Sequence, residues 1–563
     1  MDEEQKKLAE EFLFSGDHLP SFAKMLYFGS FDTKRVHPYP LPSDSERSET
    51  DALIAKLKTF ASEHIDPKVI DQNSQIPEKV ISGLADMGIL GMTIPKEYGG
   101  LGRSQYAYCR VTEELAGICG STALFVNAHQ SVGLKALLLF GTDQQKKRWL
   151  KPLTEGKQIA AFSLTEPNAG SDAAGIETRA VYDPQKKVYR LNGQKQWTTN
   201  GSIASILTVM AKTEDDKITA FLVTPDMPGF KIKDKALEKV GMRGTWTSNL
   251  IFDNVEVPEE NILGPKGKGL RVCLTVLDYG RTTFGATCTG TAKKLLELAT
   301  TYAGKRHQFG KPLSHFPLIK KKLARIASDT YAMEATTYLT AGILDRGEED
   351  IMLEAAILKV FASEALWNIV YETMQIYGGK SFFTDEPLER IMRDARLNMI
   401  GEGANEVLRA FIAAVGMRDV GMQLKEGLDS LKKLFSHPSS VWRFCKTLLA
   451  RFQTPKLPYS STQAKRLSRV IKHFGQTVIR LLAKHGETII DQQLILDRVA
   501  SIAISLYTTT AVLGKLEASP NPTMKEMLTA NHYCNRSLDM AERLFKGLSR
   551  NRDGEIEELA DSL

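Results

Sequence analysis

Cysteine and histidine are scarce in this chain, and neither is grouped. Cys109, Cys119, Cys273, Cys288, Cys445 and Cys534 are scattered, with no CxxC spacing and no His/Cys cluster. That pattern offers no disulfide framework and no structural zinc site, and it fits a reducing compartment. Long apolar runs are missing as well: none approaches the roughly 18 residues of a bilayer-spanning helix. The opening stretch "MDEEQKKLAEEF" is acidic, so it reads neither as a secretory signal nor as an Arg-rich transit peptide. No internal repeat is found. The last absence is local. Between Asp429 and Glu487 there is no acidic residue, while about a dozen Lys and Arg occur.

What is present is a globular composition, 42% hydrophobic and 25% charged over 563 residues. That is enough for three or four units with real cores. The net charge of +6 is placed so unevenly that the chain outside the basic stretch is net negative, an asymmetry that points to an anionic surface as partner. Residues 1–50 read as an arm and linker, ending in "VHPYPLPSDSERSET". Residues 51–160 have a helical period, with Asp51 as a candidate N-cap. Residues 161–266 turn to short β-branched runs separated by Gly, Asn and Asp. Long amphipathic helices fill 267–425, and 426–563 is a further helical region holding the basic stretch. Helical, then β, then helical predicts an α+β fold with segregated layers.

Three short stretches carry candidate chemistry. "AFSLTEPNAGSD" (Ala161 to Asp172) sets the hydroxyls of Thr165 and Ser171 beside Gly170, where backbone N–H groups can approach a ligand; an ordinary polar loop would look the same. "NGQKQWTTNG" adds Trp197, Thr198 and Thr199. On a strand, Trp197 and Thr199 share a face, and an indole can pack on a planar cofactor while a hydroxyl bonds its edge; a core Trp is the alternative. "IGEGANEVLR" places Glu402 between two glycines, just after Met399 and Ile400. A solvated turn and a carboxylate held in an apolar frame are both compatible with it.

Taken together, "LTEPNAGSD" and "WTTNG", with "GTDQQKKRWLKPL" before them and "RHQFGKPL" and "QIYGGKSFFTDEPLERIMRDAR" after, resemble the acyl-CoA dehydrogenases in order over about residues 51–425. The C-terminal region and the arm "SFAKMLYFGSFDTKRVHPYP" are similar to the very-long-chain subfamily and its relative in respiratory complex I assembly. The resemblance implies an N-terminal helical domain, a middle β-barrel-like domain, a C-terminal four-helix bundle and an extra helical domain, with FAD between them. Phe162, Leu164, Thr165, Ser171, Trp197, Thr198 and Thr199 would contact the flavin. Arg306, Gln308, Gln375, Gly378 and Gly379 would reach the FAD of a neighbouring subunit. Ala404, Asn405 and Glu406 would complete the cofactor set. Ser171, Asp278, Arg281 and Gly403 would serve the substrate. Glu402 falls at the position of the catalytic base, with its own backbone N–H polarising the thioester. Gly280, where some relatives carry the base, cannot serve.

The implied activity is FAD-dependent α,β-dehydrogenation of a long-chain acyl-CoA to the trans-2-enoyl-CoA in β-oxidation, with electrons passing to an electron-transfer flavoprotein. A homodimer is expected. Gly401, Ala404, Ser381 and Trp246 depart from the family pattern. They keep open a flavin-binding assembly scaffold of the same fold, and oxidase chemistry is not legible from sequence. In "SSVWRFCKTLLARFQ", Val441, Phe444, Cys445, Leu448, Leu449 and Phe452 share a helical face, with Arg443, Lys446 and Arg451 off its centre. A docked helix competes there with a peripheral membrane helix spanning residues 437–465. Nothing resembles a base-reading module, so nucleic acid is not an expected partner. The expected location is the cytoplasmic face of a bacterial membrane, or the matrix side of the mitochondrial inner membrane for a mature eukaryotic chain.

Overall fold

The computed structural model describes residues 21–214, 216–348, 350–432 and 453–563. The chain forms two compact units: residues 42–315 with 366–403, and residues 21–41, 316–365 and 404–563. The first unit opens with the helix Asp44–His64, capped by Ser43, whose hydroxyl accepts the Glu46 N–H at 3.2 Å. Asp51, expected as the cap, lies inside this helix and pairs with Arg110 at 2.8 Å. The stretch that reads as linker by composition contains Ser-x-x-Glu, which is also a helix start. Helices Gln105–Ile118 and Gly120–Asn127 come after it. The second runs directly into a π-helical segment, Ala128–Leu134.

An eight-stranded mixed sheet comes next, from β1 (Ala160–Ser163), β2 (Arg179–Asp183), β3 (Val188–Thr199), β4 (Ile206–Lys212), β5 (Ile218–Val223), β6 (Phe230–Asp234), β7 (Thr247–Pro258) and β8 (Ile262–Leu263). The order is β6-β7-β3-β2-β4-β5-β8, with β1 parallel to β4. The apolar runs of β4 and β5 are buried almost throughout, as central strands covered on both faces require. β3 alternates, with Tyr189 and Leu191 inward and Arg190 and Asn192 outward. The helix Gly269–Lys305 then crosses Gln105–Ile118 so closely that a Cβ on Gly290 would fall 1.8 Å from the Glu113 carbonyl oxygen. Only glycine permits that approach.

In the second unit the helices Pro317–Asp345, Asn405–Lys432, Thr462–His485, Gln493–Ala518 and Met524–Ser549 pack with the arm. Phe22, Leu26 and Tyr27 of the arm are buried, and the Tyr27 hydroxyl donates to the Ile412 carbonyl at 2.8 Å. Thr462–His485 buries Leu467, Ile471, Phe474 and Val478, so this part of the basic region is a docked helix with its cations on the other face. Residues 433–452, which hold most of the expected membrane helix, lie outside the described residues. The stretch Gly120–Phe140 and the helix Gln493–Ala518 are long and apolar enough to cross a bilayer, but their most apolar windows are 72% and 83% buried inside the protein. They overturn the expectation that no stretch approaches a span, and their burial marks them as core helices.

Candidate active site

The two β-domain motifs meet. The Gln196 N–H donates to the Thr165 carbonyl at 2.8 Å, and Gln196 Nε2 donates to the Glu166 carbonyl at 3.3 Å. Behind this contact Lys195 Nζ lies 2.6 Å from Glu166 Oε1, with side chains 0% and 2% exposed. Lys195 also donates to the Leu164 carbonyl at 2.9 Å, and Glu166 accepts the Thr178 N–H at 3.1 Å. Burial pushes the Lys195 ammonium down, with Glu166 working against that shift. Burial pushes Glu166 up, yet Lys195 and the backbone donors outweigh it and hold the carboxyl below its ordinary value. Sequence reasoning passed over this pair, although each member sits inside a motif. The available signal was one acid and one base inside two motifs that were expected to meet at one cofactor.

What the pair supports is a binding face. Phe162 and Leu164 are half-buried while Ala161 and Ser163 turn inward. Trp197 is 62% exposed, with φ 57°, where the β3–β7 register shifts between Lys195 and Thr198. Thr165 and Thr199 are half-buried and Ser171 is exposed. A Cβ on Gly170 would meet nothing within 4 Å. An open indole, an apolar wall, three hydroxyls and an uncrowded glycine fit a flat heterocycle with polar edges, as FAD is. Thr198, expected in the same set, lies behind this face. Strand alternation turns its side chain inward, 3% exposed, and its hydroxyl lies 2.7 Å from Ser163 Oγ, joining β3 to β1.

Arg306 ends the Gly269–Lys305 helix, and a tight hairpin comes next, with Phe309 and Gly310 at φ 52° and 77°. Tyr302 and Tyr377 stack at 4.0 Å and 14°. Arg306 and Gln308 on one of the two joined segments, and Gln375, Gly378 and Gly379 on the other, are all exposed. Phe309 and Phe382 on the same two turns are 92% and 82% exposed. Ser381 closes the second turn by donating to the Met374 and Gly378 carbonyls at 3.0 and 2.8 Å. In the second unit Ala404 and Glu406 flank Asn405, whose side chain is buried. Its Oδ1 accepts from Lys359 at 2.9 Å and its Nδ2 donates to Ser363 at 3.0 Å. Asn405 was expected at the cofactor; its side chain is committed to the protein interior, which leaves backbone N–H groups as what this helix start offers.

Glu402 is on a turn and also points inward. After the helix Leu388–Leu397, the Ile400 and Gly401 N–H groups both donate to the Leu397 carbonyl, and Glu402 adopts φ 56°, left-handed. Gly403, at φ 101°, carries the chain out. The frame is not Ile400, which is 54% exposed, nor Gly401, where a Cβ would meet nothing closer than Leu397 at 3.7 Å. It is the helix Gly269–Lys305: a Cβ on Gly280 would sit 2.9 Å from Glu402 Oε2 and 3.2 Å from Val132. Gly280 therefore makes the space into which the carboxylate fits. Asn127 Nδ2 donates to Glu402 Oε1 at 3.2 Å. Arg281 Nε donates to the Glu402 carbonyl at 3.2 Å, and Arg281 Nη1 pairs with Asp278 at 3.2 Å. Both side chains are 5–7% exposed. Arg281 and Asp278, expected at the substrate, also fix the turn that carries Glu402. Ser131 Oγ, Thr283 Oγ1 and the Tyr108 hydroxyl form a buried network nearby. Burial raises the Tyr108 phenol, and the charge of Glu402 adds to that. Trp246, set against Phe125 with ring centroids 6.2 Å apart, packs on the helical core.

The acyl-CoA dehydrogenase N-terminal, middle and C-terminal domain families match residues 47–157, 161–255 and 267–417, and the ACAD9/ACADV C-terminal domain matches 458–562. The chain belongs to the acyl-CoA dehydrogenase family. It is 35% identical to the mitochondrial very long-chain specific acyl-CoA dehydrogenase of Homo sapiens, over 94% of this chain and 84% of the relative. It is 33% identical to the probable acyl-CoA dehydrogenase FadE10 of Mycobacterium tuberculosis, over 98% and 89%. An acyl-CoA dehydrogenase from Bacillus anthracis, solved with FAD, is similar at a TM-score of 0.80 and 27% identity, covering 95% of this chain and 94% of that one. This acyl-CoA dehydrogenase is thus a FAD-dependent oxidoreductase of fatty acid metabolism.

Proposed function

We propose that this acyl-CoA dehydrogenase oxidises long-chain acyl-CoA to the trans-2-enoyl-CoA with Glu402 as its base, and that the electrons go on to an electron-transfer flavoprotein. The observation that carries the assignment is the Glu402 carboxylate, held against Gly280 by a left-handed turn that Arg281 anchors. A half-buried carboxylate with Oε2 sealed beside Gly280 and Val132 is suited to take the α-proton of a thioester. The Glu402 backbone N–H, on the same turn, is the donor this chain offers to the thioester oxygen as charge develops there. FAD, bound at the Trp197 face, supplies the acceptor for the β-hydrogen. Long chains are favoured by the relatives and by the C-terminal match over residues 458–562. Ser381 and Trp246, two of the four departures that motivate a scaffold role, are explained by turn closure and core packing. The test is anaerobic addition of acyl-CoAs of increasing chain length to the purified flavoprotein. Loss of flavin absorbance strongest with long chains supports the reading, and no loss across the series overturns it.

The same reading makes the enzyme a homodimer, in which Arg306 meets the partner's cofactor as a guanidinium suited to phosphate oxygens. The exposed aromatics Phe309 and Phe382 on these two turns fit a surface that a second copy covers. Arg306→Ala should weaken FAD retention without preventing folding. A flavin-loaded, active monomer in sedimentation would overturn the dimer.

Residues 437–465 are proposed to hold the protein on an anionic membrane surface, at the cytoplasmic face of a bacterial membrane or the matrix side of the mitochondrial inner membrane. Each cation near such a surface contributes roughly 1 kcal/mol, and no acidic residue opposes them from Asp429 to Glu487. Replacing 437–465 by a Gly/Ser linker should abolish salt-sensitive binding to anionic liposomes and leave turnover in buffer intact. Equal pelleting of the two proteins would reject the membrane role.

A further inference from the structure

Asn127 is the last residue of the helix Gly120–Asn127 and is succeeded at once by the π-helical segment. It is 1% exposed. A buried asparagine inside the apolar stretch "ALFVNA" has no packing rationale, and its two polar atoms are used unequally. Nδ2 donates to Glu402 Oε1 at 3.2 Å, whereas the buried Oδ1 has no hydrogen-bond partner among the described residues. Tight packing beyond it fixes the position. The ring of His129, two residues on, accepts the Ala160 N–H on Nδ1 at 3.0 Å and lies 3.2 Å from the Leu153 carbonyl through Nε2. Burial pushes this imidazole down to about 4, so it stays neutral and both bonds persist at working pH.

A base that takes a proton changes its hydrogen-bonding character. As a carboxylate it only accepts; as a carboxylic acid it also donates. A primary amide has both faces, and its terminal torsion is broad and two-fold, so a half-turn exchanges them. We propose that Asn127 is a positioning residue whose amide follows the protonation state of Glu402. The NH2 steadies the carboxylate before proton transfer, and the oxygen, idle in the ionised state, accepts from the acid afterwards. This rests on the reading that Glu402 is the base. The other groups facing Glu402 are set for different work. Arg281 holds its backbone carbonyl and is paired with Asp278, and the Tyr108 hydroxyl is bonded by Ser131.

The test separates proton transfer from oxidation. The holoenzyme is incubated in deuterated buffer with an acyl-CoA carrying two methyl groups on its β-carbon in place of hydrogens, so that no hydride can leave. The α-C–H bond breaks, the proton passes to Glu402, the electron pair is held by the thioester enolate, and a deuteron returns. Exchange is read by mass spectrometry as a function of pH. Asn127→Leu, which removes the donor to the carboxylate, should raise the pH midpoint of exchange by about one unit or more. Asn127→Asp, close to isosteric, should raise it further, because two carboxylates then share the site. If the Leu variant does not retain FAD, the Asp variant alone decides. Variants that keep FAD and give the wild-type midpoint overturn the role of Asn127. Persistence of exchange in Glu402→Gln would instead overturn the assignment of the base, so the two failures are distinguishable.

Discussion

Glu402→Gln is expected to retain FAD and bind acyl-CoA while losing flavin reduction by about three orders of magnitude or more. The argument is geometric first. The turn is held through its backbone: Arg281 bonds the Glu402 carbonyl, the Leu397 carbonyl closes the preceding residues, and Gly403 carries the exit. Glutamine has nearly the same volume, so it fits the space that Gly280 leaves. It can still accept from Asn127 Nδ2. What is lost is the negative charge and, with it, the capacity to take a proton. Stopped-flow reduction under anaerobic conditions measures the step directly. A Gln variant that reduces flavin at near the wild-type rate removes Glu402 from the mechanism.

The order of helical and β blocks was legible because period and β-branching change sharply near residues 160 and 267. The motif segments were legible too, and the Gln196–Thr165 contact shows that two of them are one structure. What was not legible is long-range. Nothing in "IGEGANEVLR" says that its acid faces Gly280, 122 positions earlier, or Asn127, 275 positions away. The apolar neighbours Ile400 and Met399 misdirected the reading of Glu402, since Ile400 faces outward. The side-chain partners of Thr198 and Asn405, both expected at the cofactor from the family resemblance, were equally illegible. One is turned inward by strand alternation, and the other is drawn into bonds with Lys359 and Ser363. The helix start at Ser43 was hidden by composition: a Ser- and Glu-rich stretch serves as linker or as capped first turn, and only the packing of the later turns, through Leu57 and Ala61, decides.

Lys195→Met is the second substitution with a large expected effect, and it acts on the proposed flavin face rather than on the chemistry. The pair it breaks has both side chains essentially sealed from water. Removing one partner of a buried ion pair leaves the other charge uncompensated, at about 3 to 5 kcal/mol. Glu166 is the charge left behind, and its loop carries Leu164 and Thr165, which Lys195 also ties through the Leu164 carbonyl at 2.9 Å. Urea unfolding should therefore show a loss of that order, with FAD released at lower denaturant than in the wild type. Two further results distinguish this account from simple loss of packing. Glu166→Gln added to Lys195→Met should recover more than half of the deficit, because the amide still accepts the Thr178 N–H and carries no charge. The deficit of the single variant should also shrink on acidification. Without Lys195, burial raises the folded-state value of Glu166 above its unfolded value. Its destabilising effect is then largest above the folded value and fades as pH falls and the carboxyl takes a proton. A Lys195→Met protein that retains FAD and unfolds within about 1 kcal/mol of the wild type at neutral pH would show that the backbone hydrogen bond of Gln196 to Thr165, and not the ion pair, holds this face together.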